Sequence, residues 1–155
     1  MVICRFENGG TAQLRHVVTH AIVEKDNSIL LVKRSMNLLE GGKWGLPAGY
    51  LEINETANQG ILRELHEETG WEGRVLELFR IITKPNRPNE DRQNVAFEFI
   101  VEATQKTGNM DHESSAVEWI PWESIQFEAL AFDHGETLML YKQWKDHKFQ
   151  LPLFV

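Results

Sequence analysis

Arg63, Glu64, Glu67 and Glu68 stand within six residues of one another in the stretch GYLEINETANQGILRELHEETGW (Gly49–Trp71). Successive helical residues turn by about 100°. Glu64 and Glu68 are an i,i+4 pair and Glu64 and Glu67 an i,i+3 pair, so on a helix all three carboxylates share an arc of roughly 100°. Like charges at these spacings oppose a helix by roughly a few tenths of a kcal/mol per pair. Arg63 is the one Lys or Arg between Ala57 and Thr69, and it can pair with Glu67 at i+4. Spacing alone leaves two readings open. A face of carboxylates suits a hard divalent cation, Mg²⁺ or Mn²⁺. It can also be a solvated face, although such faces usually mix signs. Gly60, one turn before Glu64, is expected to leave room beside the carboxylates.

The elements that must hold this face are readable around it. Thr56 with Gln59 three residues on is a capping-box pattern, and Gly70 stands where a helix C-terminus takes glycine. The helix is therefore predicted over Ala57–Thr69, with Ala57, Ile61, Leu62 and Leu65 toward the core. RHVVTHAIVE (Arg15–Glu24) and ILLVKR (Ile29–Arg34) read as strands, joined by the turn cluster KDNS into a hairpin. Arg74–Thr83, Gln93–Ala103 and Ala116–Ile120 read as further strands. A second helix is expected over Thr137–Lys145, with Asp133 as its cap. The glycine-rich stretch Asn37–Glu55 and the polar segment Lys84–Arg92 read as loops. Strands and two main helices without regular βαβ alternation indicate an α+β fold, a mixed sheet between helices. With 155 residues and no break in composition, one domain over 1–155 is expected.

The net charge of −7 argues against nucleic acid or an anionic membrane as the main partner. For an anionic substrate it calls for a cation as intermediary. One cysteine, Cys4, excludes an internal disulfide and favours a reducing cytoplasm. No apolar run has the length of a membrane span, and MVICRFENGGTAQLR has no signal-like apolar region.

The order of residues carries more than their spacing. Gly49, five residues, Glu55, seven residues, then Arg63-Glu64-Leu65-His66-Glu67-Glu68-Thr69-Gly70-Trp71 resembles the Nudix box, the motif of the Nudix hydrolases. Its fixed residues are Gly49, Glu55, Arg63, Glu64, Glu67, Glu68 and Gly70, and all are present. Trp71 fills a slot where an aliphatic residue is usual. LLVKRS, GGKWGLPAGY and VEWIPWESI also resemble the family's flanks, so the resemblance spans most of the chain. It implies an α/β/α sandwich and Mg²⁺-dependent hydrolysis of the diphosphate linkage in a nucleoside diphosphate joined to another group. Metal ions are then expected on Glu64, Glu67 and Glu68, with the Gly49 backbone close by and Arg63 holding the glutamates in register.

For the general base the resemblance points to a glutamate on a loop before a late strand. MDHESSAVEW offers Asp111, Glu113 and Glu118; Glu113 is chosen on its spacing to Glu118-Trp119, with Glu68 as the other candidate. A solvated loop carboxylate is the plain alternative. Arg34, Trp44, Arg87 and Arg92 are the candidates for substrate contact, against surface ion pairs, core packing and a solvated loop respectively. His16 and His20 share a strand face but lack a third ligand nearby, so ordinary structural histidines are favoured over zinc. Pro85 and the segment KPNRPNEDRQNVAFEF are similar to members acting on ADP-ribose, which makes ADP-ribose or a similar derivative the expected substrate. Hydrolysis of nucleoside triphosphates is the alternative, and a non-catalytic nucleotide-binding domain a further one. The ADP-ribose group also suggests a homodimer.

Overall fold

The computed structural model describes residues 2–89 and 93–155. Ten strands and two helices run in the order β1 (Val2–Arg5), β2 (Thr11–Leu14), β3 (His16–Lys25), β4 (Ser28–Arg34), β5 (Trp44–Gly45), β6 (Ala48–Tyr50), α1 (Ala57–Thr69), β7 (Trp71–Ile82), β8 (Asn94–Lys106), β9 (Ser114–Pro121), α2 (His134–His147) and β10 (Leu153–Phe154). The main sheet is ordered β10-β7-β8-β3-β4-β5, with β6 added on β3 and β9 on β4. β3 pairs parallel with β8 and antiparallel with β4, so the sheet is mixed. The β3–β4 turn has Asp26 at φ 49° and Asn27 at φ 58°, the left-handed pair that a two-residue hairpin of native twist requires.

Side chains of a strand alternate between its faces, and here both faces are covered. Ala21, Val23, Leu30, Phe99 and Val101 pack with Ile61 and Leu65 of α1. Their neighbours Ile22, Ile29, Leu31 and Ile100 pack with Leu138 and Tyr141 of α2. The result is the expected sandwich of a mixed sheet between helices, and it explains why β3 and β4 read as nearly continuous apolar runs.

Helix α1 has the bounds its signals predict. Thr56 and Gln59 form both bonds of the capping box, and Gly70 closes the helix at φ 74°. Of the four residues predicted to face the core, Ile61 and Leu65 are buried and Ala57 and Leu62 partly so. Helix α2 begins three residues earlier than expected. Asp133 makes no side-chain capping bond there; its carboxylate is turned instead to Arg87, whose Nε and Nη2 donate to it at 2.9 and 2.5 Å.

A second buried ion pair links the sheet to α2. Arg80 on β7 and Glu98 on β8 are both fully buried, with Arg80 Nε donating to Glu98 Oε2 at 2.8 Å and Nη2 to Oε1 at 3.2 Å. Thr137 Oγ1 donates to Glu98 Oε1 at 2.8 Å. Burial pushes the Glu98 carboxyl up, but His20 and Arg80 more than offset it and hold it at about 2. Removing one partner of such a pair strands the other without compensation. Glu98→Ala is expected to cost about 3–5 kcal/mol in urea unfolding. A loss below about 1 kcal/mol would show that Arg80 finds another partner.

Candidate active site

One face of α1 meets β6, β3 and the loop before β9 around a cavity of about 490 Å³. Its walls include Gly49, Arg63, Glu64, Glu67, Asp111 and Glu113. Arg63 is the hub. Its Nε and Nη2 donate to the two oxygens of Glu55 at 3.1 and 2.9 Å, Nη2 also to Tyr50 O at 3.0 Å, and Nη1 to Glu64 Oε1 at 2.7 Å and Glu67 Oε2 at 2.9 Å. A guanidinium has five N–H groups, and these five bonds account for all of them. The Glu55 bonds, then Glu64 and Glu67, drive the Arg63 pKa well above its ordinary value, so the charge is permanent. Glu55 acts as a strut: its Oε1 also accepts from Glu52 N at 2.8 Å.

Gly49 lies opposite Thr19 in the β3–β6 ladder. A Cβ on it would stand 2.0 Å from the Glu64 carboxyl carbon, a clash relieved only if that carboxylate moves. Glycine lets the strand approach that carboxylate. Gly49→Ala is therefore expected to push Glu64 aside and lower turnover about 100-fold with the fold retained, as read by steady-state kinetics beside a thermal melt. Unchanged kinetics would show that the position of Glu64 is uncritical. The room expected at Gly60 is already taken: a Cβ there would meet Glu55 Oε1 at 2.8 Å and Leu51 at 3.1 Å. Gly60 makes way for the strut.

The three box carboxylates do not stand alike. Glu64 and Glu67 line the cavity. Glu68 is buried beneath it, 4% exposed, with Ala48 N–H donating to its Oε2 at 2.8 Å. Burial raises the Glu68 pKa to about 8, the charges of Glu64 and Asp111 add to the rise, and the Ala48 N–H and Arg34 oppose it. Glu64 is also raised, by burial first and then by the charges of Glu67 and Glu113, against the pull of Arg63. Among the described residues no three acidic, imidazole or thiol side chains are drawn around one point as a closed metal site, so the convergence expected of all three glutamates is only partial. The donor set nonetheless fits a hard cation. Glu64, Glu67, Asp111 and Glu113 line the same cavity, and carboxylate oxygens are the ligands that hard divalent ions take.

The loop carrying Glu113 is fastened at both ends. Asp111 N donates to Glu67 O at 2.9 Å, Glu113 N to Asp111 Oδ1 at 2.9 Å, and Ser35 N to Glu113 O at 2.9 Å. Glu113 is thereby brought to the cavity, whereas Glu118 lies on β9 opposite Leu31.

The four candidates for substrate contact separate. Arg34 lines the cavity, its Nε donating to Leu39 O at 2.8 Å. Trp44 is not at the cavity wall; it packs against the α2-side core, with Lys33 over its ring at 5.9 Å. Arg87 is buried on Asp133 and is not a solvent-facing arm. Both corrections have one cause: the partner that settles the side chain is distant in sequence. Arg92 lies outside the described residues. The cavity also receives Phe132, His134, His20 and Tyr50, which sequence reasoning did not assign to it. His20 had been read as an ordinary histidine, and no spacing signal marks Phe132 or His134.

Comparison with known proteins gives a consistent picture. A family model described as the NUDIX domain matches residues 14–141. An ADP-ribose pyrophosphatase of Methanocaldococcus jannaschii is 31% identical over 130 residues, covering 84% of this chain and 75% of the relative. A MutT-like protein of Streptomyces ambofaciens is 34% identical over 108 residues, covering 70% of this chain but only 64% of its own length. The crystal structure of a NUDIX hydrolase from Nitrosomonas europaea superposes with a TM-score of 0.80 at 27% identity, over 94% of this chain and 81% of that one.

Proposed function

The chain belongs to the Nudix family of diphosphate-bond hydrolases, and from that premise we propose that it hydrolyses ADP-ribose or a closely similar derivative with Mg²⁺, or Mn²⁺ in its place. The observation that carries the reading is the pair Glu64 and Glu67 fixed by one saturated guanidinium, with Glu113 lining the same cavity. In this reading Glu64, Glu67 and Glu68 hold the cation, with the Gly49 backbone beside it. When bound, Mg²⁺ neutralises charge on the transferred phosphoryl group and makes a coordinated water more acidic.

The chain's own residues do the rest. The Glu113 carboxylate takes a proton from water as its oxygen bonds to phosphorus. The bridging P–O bond breaks, and its electrons leave on the second phosphate. ADP-ribose would thus yield AMP and ribose 5-phosphate. Arg63 keeps two carboxylates in register through the reaction, and Arg34 offers a positive charge to a phosphate at the cavity wall. The same reading takes residues 1–155 as a single Nudix domain, acting in the cytoplasm as a homodimer on a small molecule, without nucleic-acid or membrane partners. No helix among the described residues is long and apolar enough to cross a membrane.

A substrate panel tests the reading: ADP-ribose, NADH, dinucleoside polyphosphates, nucleotide sugars and the nucleoside triphosphates, each with Mg²⁺ and with Mn²⁺. ADP-ribose is expected to give the highest kcat/KM. A preference for a triphosphate would transfer the assignment to nucleotide-pool cleaning. Cleavage of none would leave a nucleotide-binding domain.

A further inference from the structure

The segment that carries Glu113 is shaped by a break in the β4–β9 ladder. Leu31 stands opposite Glu118, Val32 opposite Val117 and Lys33 opposite Ala116. The next residue, Arg34, stands opposite Ser114, so Ser115 is an extra residue on β9. Such a β-bulge re-aims side chains and recurs beside active sites. Residues directly opposed share a face of the sheet. An unbroken ladder would set Ser115 opposite Arg34, Ser114 opposite Ser35 and Glu113 opposite Met36. The bulge draws each of them one residue along. Ser114 takes the face of Arg34, and Glu113 comes level with Ser35.

Two serine hydroxyls hold this bulge. Ser115 Oγ donates to Lys33 O at 3.0 Å, across the break. Ser35 Oγ donates to His112 O at 2.8 Å, while its N–H donates to Glu113 O at 2.9 Å. From the other side, Asp111 Oδ1 accepts from Glu113 N–H at 2.9 Å. Both backbone polar groups of Glu113 are thus engaged. Its carboxylate lines the cavity and, among the described residues, accepts no hydrogen bond. A base must be free in this way to meet its water. The same freedom means that no side-chain bond orients it. Its place is set by the backbone, and the backbone is held by the serines. Ordinary strand pairing uses main-chain groups alone, so neither hydroxyl is needed to build the sheet.

We infer that Ser35 and Ser115 are positioning residues for the hydrolysis: by clamping the β9 bulge they hold the Glu113 carboxylate where it takes a proton from the attacking water. This deepens the proposed function and rests on it for the role of Glu113. Neither serine touches the reacting atoms; each acts through Glu113. A displacement of about 1 Å in a proton acceptor is enough to cost on the order of 100-fold in rate. Loss of one clamp therefore lowers kcat, whereas KM, which reflects contacts made elsewhere in the cavity, changes little.

A double-mutant cycle on the full chain, with ADP-ribose and Mg²⁺, separates positioning from mere support of the fold. S35A is expected to lower kcat about 10- to 100-fold with KM within about threefold of wild type, and S115A to lower kcat about tenfold. In an E113Q background, where the base is already gone, adding S35A is expected to cost less than about threefold more. Hydrogen exchange of the 111–115 amides, followed by mass spectrometry, is expected to quicken about tenfold in S35A. S115A keeps the test open if S35A fails to fold, as judged by thermal melt. Wild-type kcat in the folded serine variants, unchanged exchange, or a loss from S35A that is undiminished in E113Q would overturn the positioning role. Low turnover in E113Q beside wild-type rates in both serine variants would sink the positioning role alone. Wild-type turnover in E113Q would sink Glu113 as the base, and the positioning role with it.

Discussion

Glu67→Gln is expected to lower metal-dependent turnover about 10³-fold while the melting temperature stays within about 2 °C of wild type. The two halves of this result have different causes. Glu67 gives Oε2 to Arg63, and an amide oxygen can still accept that bond. Arg63 also keeps Glu55, Glu64 and Tyr50 O, so the hub survives. What glutamine removes is a negative charge at the cavity wall. If that charge holds a cation, its loss removes both the ion and the electrostatic help to the phosphoryl group. Glu64→Gln is expected to behave alike. Turnover within about threefold of wild type in both variants would refute the placement of the cation on this face.

Glu68→Gln is expected to raise stability, in a way that depends on pH. The Glu68 carboxyl has a pKa of about 8 in the folded chain against an ordinary 4.5, chiefly through burial. Between these values the folded state binds a proton that the unfolded state has lost, so stability falls as pH rises across the window. Glutamine has no charge to bury, and its oxygen can still accept from Ala48 N–H. In EDTA at pH 8 the variant should be more stable than wild type by on the order of 2 kcal/mol, or about 5 °C in melting temperature. The gap should close toward the lower end of the window, near 4.5. A variant less stable than wild type at pH 8 would show that the buried carboxylate is well compensated. Lower activity beside higher stability is the pattern expected when a fold holds a costly charge for function.

Helix α1 was legible almost to the residue because its ends are fixed by local groups. Thr56, Gln59 and Gly70 need only their own neighbours to set the boundaries. The strands drifted by one to three residues, since pairing partners rather than local signals decide where a strand stops. β7 starts at Trp71, directly after Gly70, although the sequence reads as a strand only from Arg74. The short strands β5 and β6 were hidden in a glycine-rich segment because pairing with β4 and β3 defines them. The box order identified the carboxylates, but not that Glu68 would be buried while Glu64 and Glu67 face the cavity. The grouping of His20, Phe132 and His134 at the cavity was not legible at all. His20 comes from β3, Glu98 from β8 and His134 from the start of α2, and only the folded sheet brings them together. Trp44 and Arg87 were misread for the same reason, their partners lying on the α2 side of the sheet.

The central claim is that this chain breaks a diphosphate linkage with a divalent cation held by the α1 carboxylates. Phosphorus NMR of ADP-ribose incubated with the protein and Mg²⁺ tests it most directly. The account predicts that the paired diphosphate resonances give way to two monoester resonances, from AMP and ribose 5-phosphate, and that EDTA or Glu67→Gln stops the conversion. Diphosphate resonances that persist with wild-type protein and Mg²⁺, or conversion that continues undiminished in EDTA, would contradict it.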